Sequence, residues 1–245
     1  MMARLCAAAV LLAAIGTAQA YELLRADHNP CARNDQNLFW GPAAVAVSVG
    51  GLDDPYRGLA VEAWERWNAS LSRFRFRAGN GSPCTRDGVA TISIADQPCG
   101  TAAFGDALAI TRSVWNDDGT LVDADVTFKS DTFVLDDDDI FRQVGMHELG
   151  HVLGLDHSDA CGASGVGTLM KAVLSGPVLE APQADDVDGA DAIYPGGNGG
   201  GGGDGTVPPG ANSCAVVPPR RGDLPAAPLA AIPLLLLWRR VRRRN

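Results

Sequence analysis

Residues 147–157 read HELGHVLGLDH, and these eleven residues constrain the chain more than any other stretch. They place three imidazoles (His147, His151, His157), one carboxylate (Glu148) and one glycine (Gly154) within a short span. An α-helix turns about 100° and rises about 1.5 Å per residue, so His147 and His151 fall one turn apart on one face. Both rings can then reach a single divalent ion. Glu148 stands beside these ligands and not among them, where it can serve as a general base toward water. Position 157 lies too far along the axis to belong to the same straight helix. Glycine tolerates positive φ, so Gly154 lets the helix end and the chain turn back to deliver His157. Five fixed positions at this spacing arise by accident about once in 10⁴ chains of this length. The chain has four histidines and three fall here, which disfavours solvated histidines on an ordinary amphipathic helix.

The string resembles the metzincin signature HExxHxxGxxH, and Ser158 after it is similar to the matrixin branch. Downstream, Thr168-Leu169-Met170 resembles the Met-turn, with Met170 as the methionine that packs beneath the metal-binding histidines. Alone, Met170 would read as ordinary core filler. The segment Asp185 to Pro195 resembles the last helix of matrixin domains, so the likeness covers roughly residues 40 to 195. It implies a zinc endopeptidase with one catalytic Zn2+ held by His147, His151 and His157, and Glu148 as catalytic base. It also implies an α+β fold: a twisted mixed sheet with one antiparallel edge strand, an active-site helix and a small C-terminal subdomain. Peptide substrates would add as a strand along that edge, held by main-chain hydrogen bonds. Matrixins usually follow the methionine with Tyr-Pro, whereas Lys171-Ala172 stands here, so the substrate pocket should differ in shape. The family's second, structural zinc needs further histidines, and only His28 remains, which reads as a surface residue.

The ends of the chain suggest export. Arg4, an apolar run from Leu5 to Ile15 and Ala18-Gln19-Ala20 read as a signal peptide over 1–20. Residues 21–195 form the expected domain and 196–223 a Gly/Pro-rich linker. Residues 224–245 combine an apolar segment, too short to span a bilayer, with an arginine cluster. This order resembles Gram-negative sorting tails of the Myxo-CTERM or GlyGly-CTERM kind, which implies transient membrane contact and a location at the cell surface or outside it. Cys214 is then the candidate point of tail processing. A weak permanent anchor is the rival account.

Residues 21–200 carry 12 Lys+Arg and 27 Asp+Glu, so 12 − 27 = −15, a balance that excludes nucleic acid as a natural partner. Cys31, Cys84, Cys99 and Cys161 allow two disulfides in three connectivities. The short loop between Cys84 and Cys99 makes that pair the first expectation, leaving Cys31 for Cys161. Cys31 sits in NPCARND, unlike the propeptide motif by which matrix metalloproteases are kept latent.

A single domain, expected to be monomeric, fits this length. Strands are expected over 43–49, 74–77, 89–95, 107–115 and 121–129, the last two joined at Asn116-Asp117-Asp118-Gly119. A helix over 56–71 should bury Ala60, Ala63, Trp64, Trp67 and Leu71, opened by an Asp54 cap with Pro55 at its first position. Asp136 to Asp139 suit the start of the HExxH helix, where negative charge complements the dipole. Asp123, Asp125 and Asp131 lie where matrixins hold structural calcium, so they are candidate Ca2+ ligands, although no EF-hand loop occurs. No GxSxG elbow is present, which disfavours a serine hydrolase. A non-catalytic surface module on the zinc fold and another metzincin subfamily remain as alternatives.

Overall fold

The polypeptide alternates strand and helix because its apolar residues change period from two to about 3.6 and back. The computed structural model describes residues 21–31, 37–100, 103–162, 167–195 and 210–216. In chain order the elements are β1 (Glu22–Leu23), β2 (Ala44–Ser48), α1 (Tyr56–Ser70), β3 (Arg75–Ala78), β4 (Val89–Ala95), β5 (Ala109–Trp115) and β6 (Leu121–Lys129). A 3-10 turn (Phe133–Asp136), α2 (Asp138–Leu153), β7 (Leu155–Asp156), α3 (Ala184–Ile193) and β8 (Gly210–Val216) follow.

The main sheet runs in the order β3-β2-β4-β6-β5-β8. Strands β2, β3, β4 and β6 pair in parallel, and β5 runs antiparallel to β6. The turn between them closes with Gly119 at φ 83° and its amide on the Asn116 carbonyl at 3.0 Å, the hairpin that Asn-Asp-Asp-Gly foretells. Three strands were not expected: the two-residue pair β1 and β7, and β8. Gly210–Val216, read as part of a structureless linker, pairs antiparallel along β5, so β5 is not the exposed edge. The cause lies in β5: an edge strand presents unpaired N–H and C=O groups that any extended segment of the chain can satisfy.

Helix α1 buries Leu59, Ala60, Ala63, Trp64 and Trp67 against α2 and the sheet. Close approach rests on small residues: a methyl added at Gly145 would meet Ala63 Cβ at 3.3 Å. The Trp67 indole donates to the Met146 carbonyl at 2.8 Å, so its ring is buried without an orphaned N–H. Phe128 of β6 stacks on Phe141 of α2 at 4.3 Å and locks the helix over the sheet. Each such fully buried large side chain contributes about 1.5–3 kcal/mol of transfer free energy. The expected Asp54 cap does not form. Pro55 itself occupies the cap position without a side-chain hydrogen bond, and the Arg57 amide bonds the Asp53 carbonyl at 3.1 Å. Among the described residues, no helix is long and apolar enough to cross a membrane. The proposed signal peptide (1–20) and tail (224–245) lie outside the described residues.

Candidate metal centre

Helix α2 is fixed at both ends by residues that its sequence supplies. Asp137 caps it, its carboxylate accepting the amides of Asp139 and Ile140 at 3.0 and 3.1 Å. Gly154 ends it at φ 108°, donating to the His151 carbonyl at 3.0 Å. A Cβ at 154 would sit 2.5 Å from the Leu38 carbonyl oxygen, so both conformation and space require glycine. The reversed chain forms β7, which pairs with β1 through Glu22↔Asp156 and Leu23↔Leu155, and His157 follows at once. Cys31–Cys161 ties the loop beyond His157 to the N-terminal segment, and Cys84–Cys99 closes a second loop. Both pairings match the first expectation.

The three imidazoles converge, with one ligand atom from each lying within 4.8 Å of the others. Nε2 of His147 and Nε2 of His151 are 3.0 Å apart. Their Nδ1 atoms face the carbonyls of Leu169 and Leu155, each at 2.8 Å. A carbonyl only accepts, so each Nδ1 carries a proton and donates it. Burial lowers the pKa of His147 to about 3, with the neighbouring His157 adding to the shift, and holds His151 well below its usual value. Both rings are therefore neutral and turn lone pairs toward each other. Nε2 of His157, also lowered by burial against the pull of Asp156 and Asp159, is buried with no hydrogen-bond partner. Converging neutral lone pairs are what a cation needs, and zinc at about 2.0–2.1 Å from each nitrogen suits ligand atoms so close together. The donor set fits a zinc ion.

Around this trio stand Thr111, Asp186 and Gly150, none of them among the sequence-predicted site residues. Thr111 of β5 places its hydroxyl 2.6 Å from Glu148 Oε2 and 3.1 Å from the Glu148 carbonyl, so its proton goes to the carboxylate. Asp186 of α3 accepts the amides of Leu169 and Met170 at 3.0 and 3.1 Å, and that of Gln183 at 2.8 Å. It thereby fixes the turn whose Leu169 carbonyl orients His147. Met170 is buried, and a methyl added at Gly150 would overlap its sulfur and press on Trp67. A glycine inside a helix costs about 1 kcal/mol relative to alanine, a signal that packing demands it. Lys171, at the position where a different pocket was expected, lines a small pocket beside His147 with Gln143, Thr168 and Leu174.

The remaining sequence-predicted residues separate. Asp123 and Asp125 lie on one side of β6, both fully buried. Neither oxygen of Asp123 completes a hydrogen bond, although the amides of Asp87 and Gly88 lie near enough to offset part of its burial. Burial and then the Asp125 charge raise Asp123 to about 7. Asp125 accepts the amide of Thr91 at 3.1 Å and the Thr91 hydroxyl, and burial raises its pKa too. Asp131 lies past the end of β6, in an open groove with Asp106 and Asp136, so it does not join the other two. His28 is exposed, and its ring meets Trp115 edge-on with the ring centroids 5.5 Å apart. Cys214 stands in β8 directly opposite Thr111.

A mixed sheet, a helix ending in glycine and three converging imidazoles beside a methionine turn define a metzincin-type metallopeptidase domain. The matrixin family model matches residues 61–195, more than half of the sequence, and the chain belongs to this family of zinc-dependent peptidases. A search of curated proteins finds no match.

Proposed function

We propose that this chain is an exported endopeptidase that binds one zinc ion through His147, His151 and His157 and hydrolyses peptide bonds in protein substrates. When bound, zinc polarises the scissile carbonyl and acidifies water. Leu169 and Leu155 keep two of the rings in the tautomer that binds. Thr111 orients the Glu148 carboxylate, which accepts the proton of the attacking water and returns it to the departing amine. Met170 supports the floor of the site. The single observation that carries this proposal is the pair of neutral Nε2 atoms 3.0 Å apart, with a buried carboxylate one residue away on the same helix.

Zinc content and peptide cleavage, measured together on purified protein against a diverse peptide library, test it. Glu148→Ala should keep the metal and lose nearly all activity, whereas His151→Ala should lose both. A Glu148→Ala protein that still cleaves peptides removes the base from the proposal.

Two disulfides support export, because such bonds persist in oxidising compartments. For the tail we propose transient membrane contact through 224–245 and processing near Cys214. Calcium belongs to the same proposal: the buried oxygens of Asp123 and Asp125 would be neutralised by a bound Ca2+ ion. The protein is proposed to act as a monomer.

A further inference from the structure

Strand β8 covers β5 along its full length, from Ala109↔Val216 to Trp115↔Gly210. Strand β5 also borders the metal centre, because Thr111 reaches Glu148 from it. The other end of the sheet, β3, packs near α1 and lies four strands away from β5 in the order of the sheet. A peptide that pairs with the sheet beside the histidines therefore has one edge to use, and Gly210–Val216 already lies on it. The backbone of β8 also approaches α2, and Cys214 is in register with Thr111. The tail thus occupies the place of a substrate strand at the level of Glu148.

The residues in this strand, Gly-Ala-Asn-Ser-Cys-Ala-Val, include no aromatic or long aliphatic side chain. Main-chain hydrogen bonds must supply most of its hold on β5, as in other strand additions. Such a segment would bind weakly as a free peptide. Attached to the domain through residues 196–209, it acts at an effective concentration on the order of millimolar. That combination gives a strand that is seated but exchangeable.

We propose that Gly210–Val216 is an intramolecular competitor for the peptide-binding edge, so that substrates gain β5 only when this segment leaves it. The proposal rests on the reading that peptides bind along β5. Asn212→Pro with Ser213→Pro in the full chain tests it. Neighbouring residues alternate in their pairing, so one of these two amides faces β5 whichever phase the ladder takes, and proline removes it. Asn212→Ala with Ser213→Ala keeps both amides and is the control. All described core residues lie between Leu23 and Tyr194, so the fold should not depend on this change.

Two measurements decide. Hydrogen exchange should speed up at the amides of residues 109–115 in the proline variant and stay as in wild type in the alanine control. In zinc-loaded chains that also carry Glu148→Ala, fluorescein-labelled β-casein should bind about 3- to 10-fold more tightly to the proline variant, by anisotropy. Unchanged exchange, or faster exchange with equal casein affinity, overturns the proposal. Hydrolysis of casein by the proline variant with Glu148 intact is scored separately. Its absence would sink the peptidase assignment and leave the binding comparison to judge the tail.

Discussion

The Thr111 hydroxyl donates to Glu148 Oε2 across 2.6 Å and 37 positions of sequence, joining β5 to the helix that carries the histidines. The carboxylate is buried, so this donor sets its orientation before any substrate arrives. A hydrogen bond to a charged group contributes about 1.5–3 kcal/mol. Thr111→Val keeps the shape and deletes the donor. We expect kcat to fall about 10- to 100-fold with zinc content unchanged, and Thr111→Ser to restore most of it. Equal kcat for Thr111→Val and wild type would remove Thr111 from the site.

Asp186 gathers three backbone amides, two of them from the turn that holds His147 in its tautomer. Asparagine cannot accept on both arms. Asp186→Asn should destabilise the domain by about 1–3 kcal/mol in urea titration and weaken zinc about 10- to 100-fold in chelator competition. Loss of stability without loss of zinc affinity would show that the turn does not tune the ligand.

Gly150 leaves room for the Met170 sulfur. Gly150→Ala should therefore cost about 1–3 kcal/mol by overpacking, in spite of alanine's better helix propensity. Adding Met170→Ala to Gly150→Ala should cost less than the sum of the two single changes, because both act on one space. Additive costs would place the clash elsewhere.

Asp123 supplies a pH test. Its folded pKa, raised from 3.8 to about 7, exceeds the unfolded one, so its contribution is fully present below about pH 4 and lost as pH rises to about 7. The histidines act oppositely: their lowered values remove stability as pH falls below 6.5. The informative quantity is thus the difference between variants. In chelator, the melting temperature of Asp123→Asn relative to wild type should rise between pH 5 and pH 7.5. Millimolar calcium at pH 7.5 should raise the melting temperature of wild type and not that of Asp123→Asn. No calcium-dependent shift in wild type would remove the calcium proposal.

What the sequence revealed was local. The expected strands and the helix over 56–71 emerged to within two residues, as in Val89–Ala95 and Tyr56–Ser70, whereas the two-residue β1 and β7 are too short to carry an apolar period. The convergence of His147, His151 and His157 was legible because one helical turn and one glycine generate it. Thr111 and Asp186 were not, since each meets its partner through tertiary packing that no spacing encodes. Gly150 left a trace, a glycine where a helix prefers alanine, that went unread. The docking of β8 was hidden for another reason. Its residues carry almost no β-pattern, and the demand for a partner came from the vacant rim of β5. The Asp54 cap failed because Pro55 took the capping position itself.

The third imidazole depends on a segment far from it in sequence. His157 is held in place by a two-residue strand that exists only because Glu22 and Leu23 come back to meet it, and by a crosslink spanning 130 positions. Ion capture therefore waits for the start of the polypeptide to return to its middle. A partly made or misthreaded chain would offer two nitrogens instead of three, so acquisition of the metal reports that assembly is complete.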